Sequence, residues 1–147
     1  SEALLTLAQD LAISIARDGE GATKLVTVKV QGASNQDQAQ NAARYITTSP
    51  LIKSAVHGED PNWGRILARL GQSGVDAEAF EKLSVILQGV EVFVNGKPVP
   101  FDRAEARQKL HSENIEILVK LGSGTFDATA WGCDLTKRYV EINTEYS

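Results

Sequence analysis

The stretch Asp18-Gly19-Glu20-Gly21-Ala22-Thr23-Lys24-Leu25-Val26-Thr27-Val28-Lys29-Val30 decides how the rest of the chain is read. Two glycines in its first four residues remove helix propensity and admit positive φ, so a helix arriving from upstream must stop there. Its last six residues alternate Val26, Val28 and Val30 with Thr27 and Lys29, the period-two pattern of a strand buried on one face. Upstream, Leu4, Leu7, Ala8, Leu11, Ala12 and Ile15 recur at steps of three and four. That spacing predicts an amphipathic helix from Glu2 to Arg17, about four turns long.

Working downstream, Ser34 and Asp37 form a weak capping box ahead of a narrow stripe, Ala39, Ala42, Ala43 and Ile46, whose small side chains predict close packing. Pro50 disfavours αR geometry at Ser49 and ends that helix. Asp60-Pro61 predicts the next helix start, with Trp63, Ile66, Leu67 and Leu70 on its buried side, Gly64 open to a close neighbour and Gly71 at its end. Leu83–Leu87 and Val90–Val94 read as strands, followed by the hairpin pair Asn95-Gly96. Asp102 with Glu105 opens a short helix through Lys109. Ile115–Leu121 and Thr125–Trp131 are strands joined across Gly122-Ser123-Gly124, and Asp134 is placed to cap a last helix carrying Leu135, Tyr139 and Ile142. Mixed helices and strands without repeats or linkers predict an α/β (α+β) unit, residues 1–147 as one domain. Strand order is not legible.

Composition supports one core. The chain has 147 residues, 42% hydrophobic and 23% charged, too apolar and too balanced in charge for disorder. A chain of this size buries about 70% of its unfolded surface in one domain, whereas two would each be marginal. Fifteen Lys plus Arg against 19 Asp plus Glu give a net charge of −4, which argues against general nucleic-acid binding. No run approaches the roughly 18–20 apolar residues of a membrane span, and Ser1–Asp10 lacks the basic start of a secretion signal. The single cysteine, Cys133, forms no internal disulfide, in keeping with cytoplasm or an organelle matrix.

The polar motifs are individually weak. Asp18–Lys24 suggests a phosphate loop, but Thr23 rather than glycine precedes Lys24 and a strand rather than a helix follows. Two readings remain: a plain helix-to-strand turn, or a tight backbone that presents the Glu20 carboxylate to a ligand. His57, Glu59 and Asp60 lie close in sequence without metal-ligand spacing, so no metal is expected. His111 reads as a surface residue and Cys133 as a small buried thiol rather than a nucleophile. Trp63 and Trp131 are read as core residues, with pocket lining as the alternative.

Three segments taken together are specific. Asp18–Lys24 (DGEGATK), Ser49–Ala68 (SPLIKSAVHGEDPNWGRILA) and Ala130–Tyr146 (AWGCDLTKRYVEINTEY) resemble, in order, the C-terminal part of the bifunctional ornithine acetyltransferases, also called glutamate N-acetyltransferases. The likeness runs from about Leu7 to the C-terminus. It implies an N-terminal-nucleophile-like fold and an enzyme that moves an acetyl group from N-acetylornithine to glutamate in arginine biosynthesis. In that family a precursor cleaves into an α and a β chain, and a threonine at the new β-chain N-terminus carries the acetyl group as an ester. The α chain supplies the oxyanion hole. No cofactor is implied, although some members accept acetyl-CoA as a substrate. Paired chains form an α2β2 heterotetramer, cytoplasmic in bacteria and in the mitochondrial matrix in fungi.

Matched residue by residue, the resemblance gives Glu20 and Asn143 as substrate-binding residues. A carboxylate suits the ammonium groups of ornithine and glutamate, and an amide suits either end of an amino acid. No catalytic residue is implied within this chain. The family's nucleophilic threonine stands in an Ala-Thr-Met-Leu-like context, whereas this chain begins Ser1-Glu2-Ala3 and contains no methionine. The family's further Ser or Thr, two positions after Tyr146, would fall one residue past Ser147. The expectation is therefore a C-terminal segment of the β chain, inactive alone, partnered by the α chain and the N-terminal part of the β chain. Two other readings stand beside it: a non-catalytic binding module that keeps the fold, and a related acetyltransferase with a different acceptor. For Pro61–Arg65 the resemblance supplies no role, and the choice is between scaffold or subunit interface and active-site lining.

Overall fold

A computed structural model describes residues 2–17 and 23–134. The strand predicted by the opening stretch is β1 (Leu25–Ala33), and the layers are built on it. Parallel to it runs β5 (Asn114–Lys120), which sets Val26, Val28 and Val30 beside Ile115, Ile117 and Val119. On its other side runs β6 (Phe126–Cys133), antiparallel, with Leu25 opposite Cys133. Beyond β5 the sheet continues antiparallel through β2 (Ser84–Leu87), β3 (Val90–Val94) and the short β4 (Lys97–Pro98). The order is β4-β3-β2-β5-β1-β6, which fits the expected mixed α/β class.

The two strands joined across Gly122-Ser123-Gly124 do not pair with each other, because β1 lies between them. Their connection crosses the end of β1: Leu121 N–H donates to the Gln31 carbonyl, and Ser123 and Gly124 N–H to the Gly32 carbonyl, each at 2.8 Å. On the valine face lies α2 (Gln36–Thr47), whose Ala39, Ala42, Ala43 and Ile46 are buried against the sheet. Its small side chains permit the predicted close packing. A Cβ on Gly132 of β6 would stand only 3.0 Å from the Thr47 carbonyl oxygen. Ile66 and Leu70 of α4 (Trp63–Gln72) complete this apolar layer.

α1 (Glu2–Arg17) has the predicted span and packs against β6 and β1. Two residues of its apolar stripe are exposed, Leu7 at 65% and Leu11 at 60%.

Several helix starts fall one or more residues from their predicted positions. Asn35, not Ser34, caps α2: its side chain accepts from Gln38 N–H at 2.8 Å, while Gln38 Oε1 accepts from Ser34 N–H at 2.9 Å. Asn is as good a cap as Ser, and Gln at the third helical position returns the bond. As predicted, Ser49 is extended ahead of Pro50 and α2 has ended at Thr47; Pro50 then opens α3 (Pro50–His57) at its first turn, with Ser49 as cap. Asn62 caps α4 through Arg65 N–H at 3.2 Å, which leaves Asp60 to pair with Arg103 at 3.6 Å. α4 runs one residue past Gly71 to Gln72, and among the described residues a Cβ on Gly64 would meet the Asn62 side chain at 3.4 Å rather than a neighbouring element.

Asn95-Gly96 makes the expected hairpin, with φ of 50° and 79°. A Cβ on Gly96 would stand 2.6 Å from the Glu81 carbonyl oxygen, so the turn has no room for a side chain. Asp102 caps α5 (Arg103–Lys109) as predicted, accepting from Glu105 N–H at 3.1 Å.

Candidate functional site

At the start of β1 the backbone pairing with β6 stops at Leu25 and Cys133, and a side chain takes over. The Asp134 side chain is fully buried. One of its oxygens accepts from the backbone N–H groups of Thr23 and Lys24, at 2.8 and 2.9 Å. The other accepts from the Thr23 hydroxyl at 2.6 Å and meets His57 Nδ1 at 2.9 Å. An ionised carboxylate can only accept, so Nδ1 carries the hydrogen in that pair.

Burial pushes the Asp134 carboxyl up. Hydrogen bonds from the Thr23 hydroxyl and N–H, from His57 and from Lys24 N–H outweigh it and hold the group below the ordinary aspartate range. A carboxylate with four donors stays ionised and has little capacity left to take a proton from a substrate. Its work is to join the start of β1, the end of β6 and the last residue of α3.

Beside this junction opens a cleft of about 290 Å³, lined by Thr23, Lys24, His57, Glu59, His111 and Glu113 among others. Lys24 is the least solvated charge there. Its side chain is 9% exposed, and its Nζ donates to the Leu110 carbonyl and stands 3.8 Å from Glu59. Glu59 sits just past α3 with φ of 56° and accepts from His111 Nδ1 at 2.6 Å. The His111 hydrogen bond, opposed by desolvation and aided by the charges of His111, Lys24 and Arg107, holds the Glu59 carboxyl below its ordinary value. Carboxylates, imidazoles and one ammonium around a small open cleft suit a small zwitterionic ligand better than an apolar one.

Glu20 and Asn143, the two expected substrate-binding residues, lie outside the described residues, as does the helix assigned to Leu135, Tyr139 and Ile142. Asp134, read from sequence as that helix's cap, turns its carboxylate back onto Thr23, Lys24 and His57. His57, Glu59 and Asp60 separate to three different partners, namely Asp134, His111 and Arg103. Among the described residues no group of three or more His, Cys, Asp or Glu side chains could hold a metal ion.

His111 is on the surface as expected, 82% exposed, but it is engaged with Glu59. Cys133 is only partly buried. Trp63 packs at the edge of the core, 5.3 Å from Phe93 between ring centroids, while Trp131 lines a groove between α2 and β6 with Arg44 and Thr47. Within Pro61–Arg65, Asn62 caps α4, and Arg65 Nη1 donates to the Leu51 carbonyl of α3 at 2.7 Å.

Residue pattern had given no hint of the Asp134 junction. Its partners are 77, 110 and 111 positions away, beyond any helical or strand spacing.

Comparison with known proteins follows the same direction. The model of the ArgJ family matches residues 1–147. The Arginine biosynthesis bifunctional protein ArgJ of Oceanobacillus iheyensis is 49% identical over 140 residues, covering 95% of this chain and 34% of that protein. The Glutamate N-acetyltransferase of Methanopyrus kandleri is 48% identical over 147 residues, covering 98% of this chain and 38% of that protein. This chain thus spans little more than a third of the length of these relatives. The crystal structure of Arginine biosynthesis bifunctional protein argJ from Bacillus halodurans superposes with a TM-score of 0.93 at 41% identity, covering 99% of this chain and 68% of that one.

Proposed function

The chain belongs to the ArgJ family, and from that premise we propose that it supplies part of the substrate site of a glutamate N-acetyltransferase of arginine biosynthesis. The observation that carries this reading is the meeting of the three family-like segments at Asp134, beside a polar cleft of amino-acid size. The enzyme takes the acetyl group from N-acetylornithine onto a threonine and passes it from that ester to glutamate. Neither the threonine nor the oxyanion hole belongs to this chain. They come from an α chain and the N-terminal part of the β chain, in an α2β2 assembly that works in the cytoplasm or a mitochondrial matrix. The reaction needs no cofactor, and acetyl-CoA is an alternative donor. No helix among the described residues is long and apolar enough to cross a membrane.

Within that enzyme, Glu20 holds an ammonium group that the substrate brings, and Asn143 bonds the polar end of the substrate. Steady-state kinetics of Glu20→Gln in the assembled enzyme test this. Loss of the counter-charge raises KM about 10-fold or more with a smaller change in kcat, the signature of lost binding energy. Unchanged kinetics refute the reading.

A further inference from the structure

The two edges of the sheet are built differently. At one, β4 is two residues long, and its Lys97 and Pro98 are the kinds of residue that keep a further strand from pairing. At the other, β6 runs for eight residues, Phe126-Asp127-Ala128-Thr129-Ala130-Trp131-Gly132-Cys133, with one charge and neither lysine nor proline. Among the described residues no strand pairs with its outer side. An edge of that length, with so little to blunt it, is a template for one more strand.

β6 is also short of cover. Its neighbour β1 buries Val28, Val30 and Ala33 completely, whereas no residue of β6 is buried, Trp131 included, although α1 and α2 both pack against it. Of the four large apolar side chains exposed among the described residues, three belong to this edge or to the helix beside it: Phe126, Leu7 and Leu11. Single exposed leucines mean little, but three such side chains on one edge mark a contact surface. Between β6 and α2 opens a groove of about 550 Å³, with Thr129, Ala130 and Trp131 on one wall and Arg44 and Thr47 on the other. Among the described residues the Arg44 guanidinium has neither a hydrogen bond nor an ion pair.

The similar crystal structure says where an occupant can come from. This chain covers 68% of that chain, so about a third of the same polypeptide lies outside the match. On the reading of this chain as the C-terminal segment of a β chain, that remainder precedes it and enters through α1, the helix packed on β6. Elements adjacent in sequence are usually adjacent in space, and a short connection costs little entropy to close. We propose that the outer side of β6 pairs with a strand from the N-terminal part of the β chain. The same part covers Leu7, Leu11 and Phe126 and sets a carboxylate against Arg44 in the groove. The inference rests on the reading of the chain as part of that enzyme.

The test is hydrogen exchange resolved to single amides, together with photo-cross-linking, on the assembled enzyme. A bare edge leaves every second amide of β6 without a partner, whereas a paired strand protects them all. The expected result is protection of about 100-fold or more at each amide from Ala128 to Gly132. Leu7→Glu with Leu11→Glu lowers that protection about 10-fold, and Leu51→Glu, equally exposed but on α3, leaves it unchanged. With Phe126 replaced by p-benzoylphenylalanine, cross-links map to the N-terminal part of the β chain. Alternating protection along β6 overturns the proposal, as do cross-links confined to residues 135–147, to the α chain or to a second copy. Failure of the underlying reading looks different, since intact mass then shows no polypeptide beyond these 147 residues and the docking surface falls with it.

Discussion

The valine face of β1 and the start of β1 lie on one strand and are held by opposite physics. Under α2, Val28, Val30, Ala39, Ala42 and Ile46 are fully enclosed apolar side chains, and the contact is non-directional. Less than two turns of chain away, Thr23 and Lys24 are held by one buried carboxylate through bonds whose lengths and directions are specified. Removing a methyl group from the first region weakens the fold without re-aiming anything. Removing a donor or acceptor from the second frees Thr23 and Lys24 from the end of β6.

Substitutions can separate the two. Ile46→Ala opens a cavity between α2 and the sheet and costs about 2–5 kcal/mol, visible as a lower midpoint in urea. Substrate KM of the folded enzyme stays within about twofold, because no group of the polar junction moves. A large KM effect there would erase the distinction.

Asp134→Asn ranks next for stability, at about 1–3 kcal/mol, because the amide turns a donor toward groups that are themselves donors. Its effect depends on pH. The Asp134 carboxyl is lower in the folded chain than in the unfolded one, so its contribution is complete above the ordinary aspartate range and fades as pH falls through the lowered folded value. Urea titrations of wild type and Asp134→Asn should therefore differ at neutral pH and converge in acid. A gap that widens in acid contradicts the assignment.

Asp127 gives the smallest effect and the sharpest control. It too lies on β6 and accepts from a β1 backbone group, Gly32 N–H at 3.0 Å, but it is exposed and water can replace the bond. Asp127→Asn should change stability by no more than about 0.5 kcal/mol and leave KM alone.

The same contrast explains what the chain discloses as text. Period-two valines, the alanine stripe and Asn95-Gly96 announce β1, α2 and the β3–β4 hairpin, because those elements follow from neighbours one to four residues apart. Helix starts drifted where two adequate caps stand within two residues of each other, Ser34 with Asn35 and Asp60 with Asn62. Strand order was illegible because a short glycine connection suits a hairpin as well as a hop over the end of β1. The Asp134–His57–Thr23 junction was hidden because each partner has a sufficient local reading, as a cap, an isolated histidine and a turn residue. The family likeness named Glu20 and Asn143, and the structure adds the anchor between the segments that carry them.

The most direct test is the equilibrium Kd of N-acetylornithine for the assembled Glu20→Gln enzyme, measured by calorimetry at a temperature where circular dichroism shows the fold intact. If Glu20 holds the substrate ammonium, Kd rises about 10-fold or more. A folded Glu20→Gln enzyme that binds N-acetylornithine as tightly as wild type would contradict it.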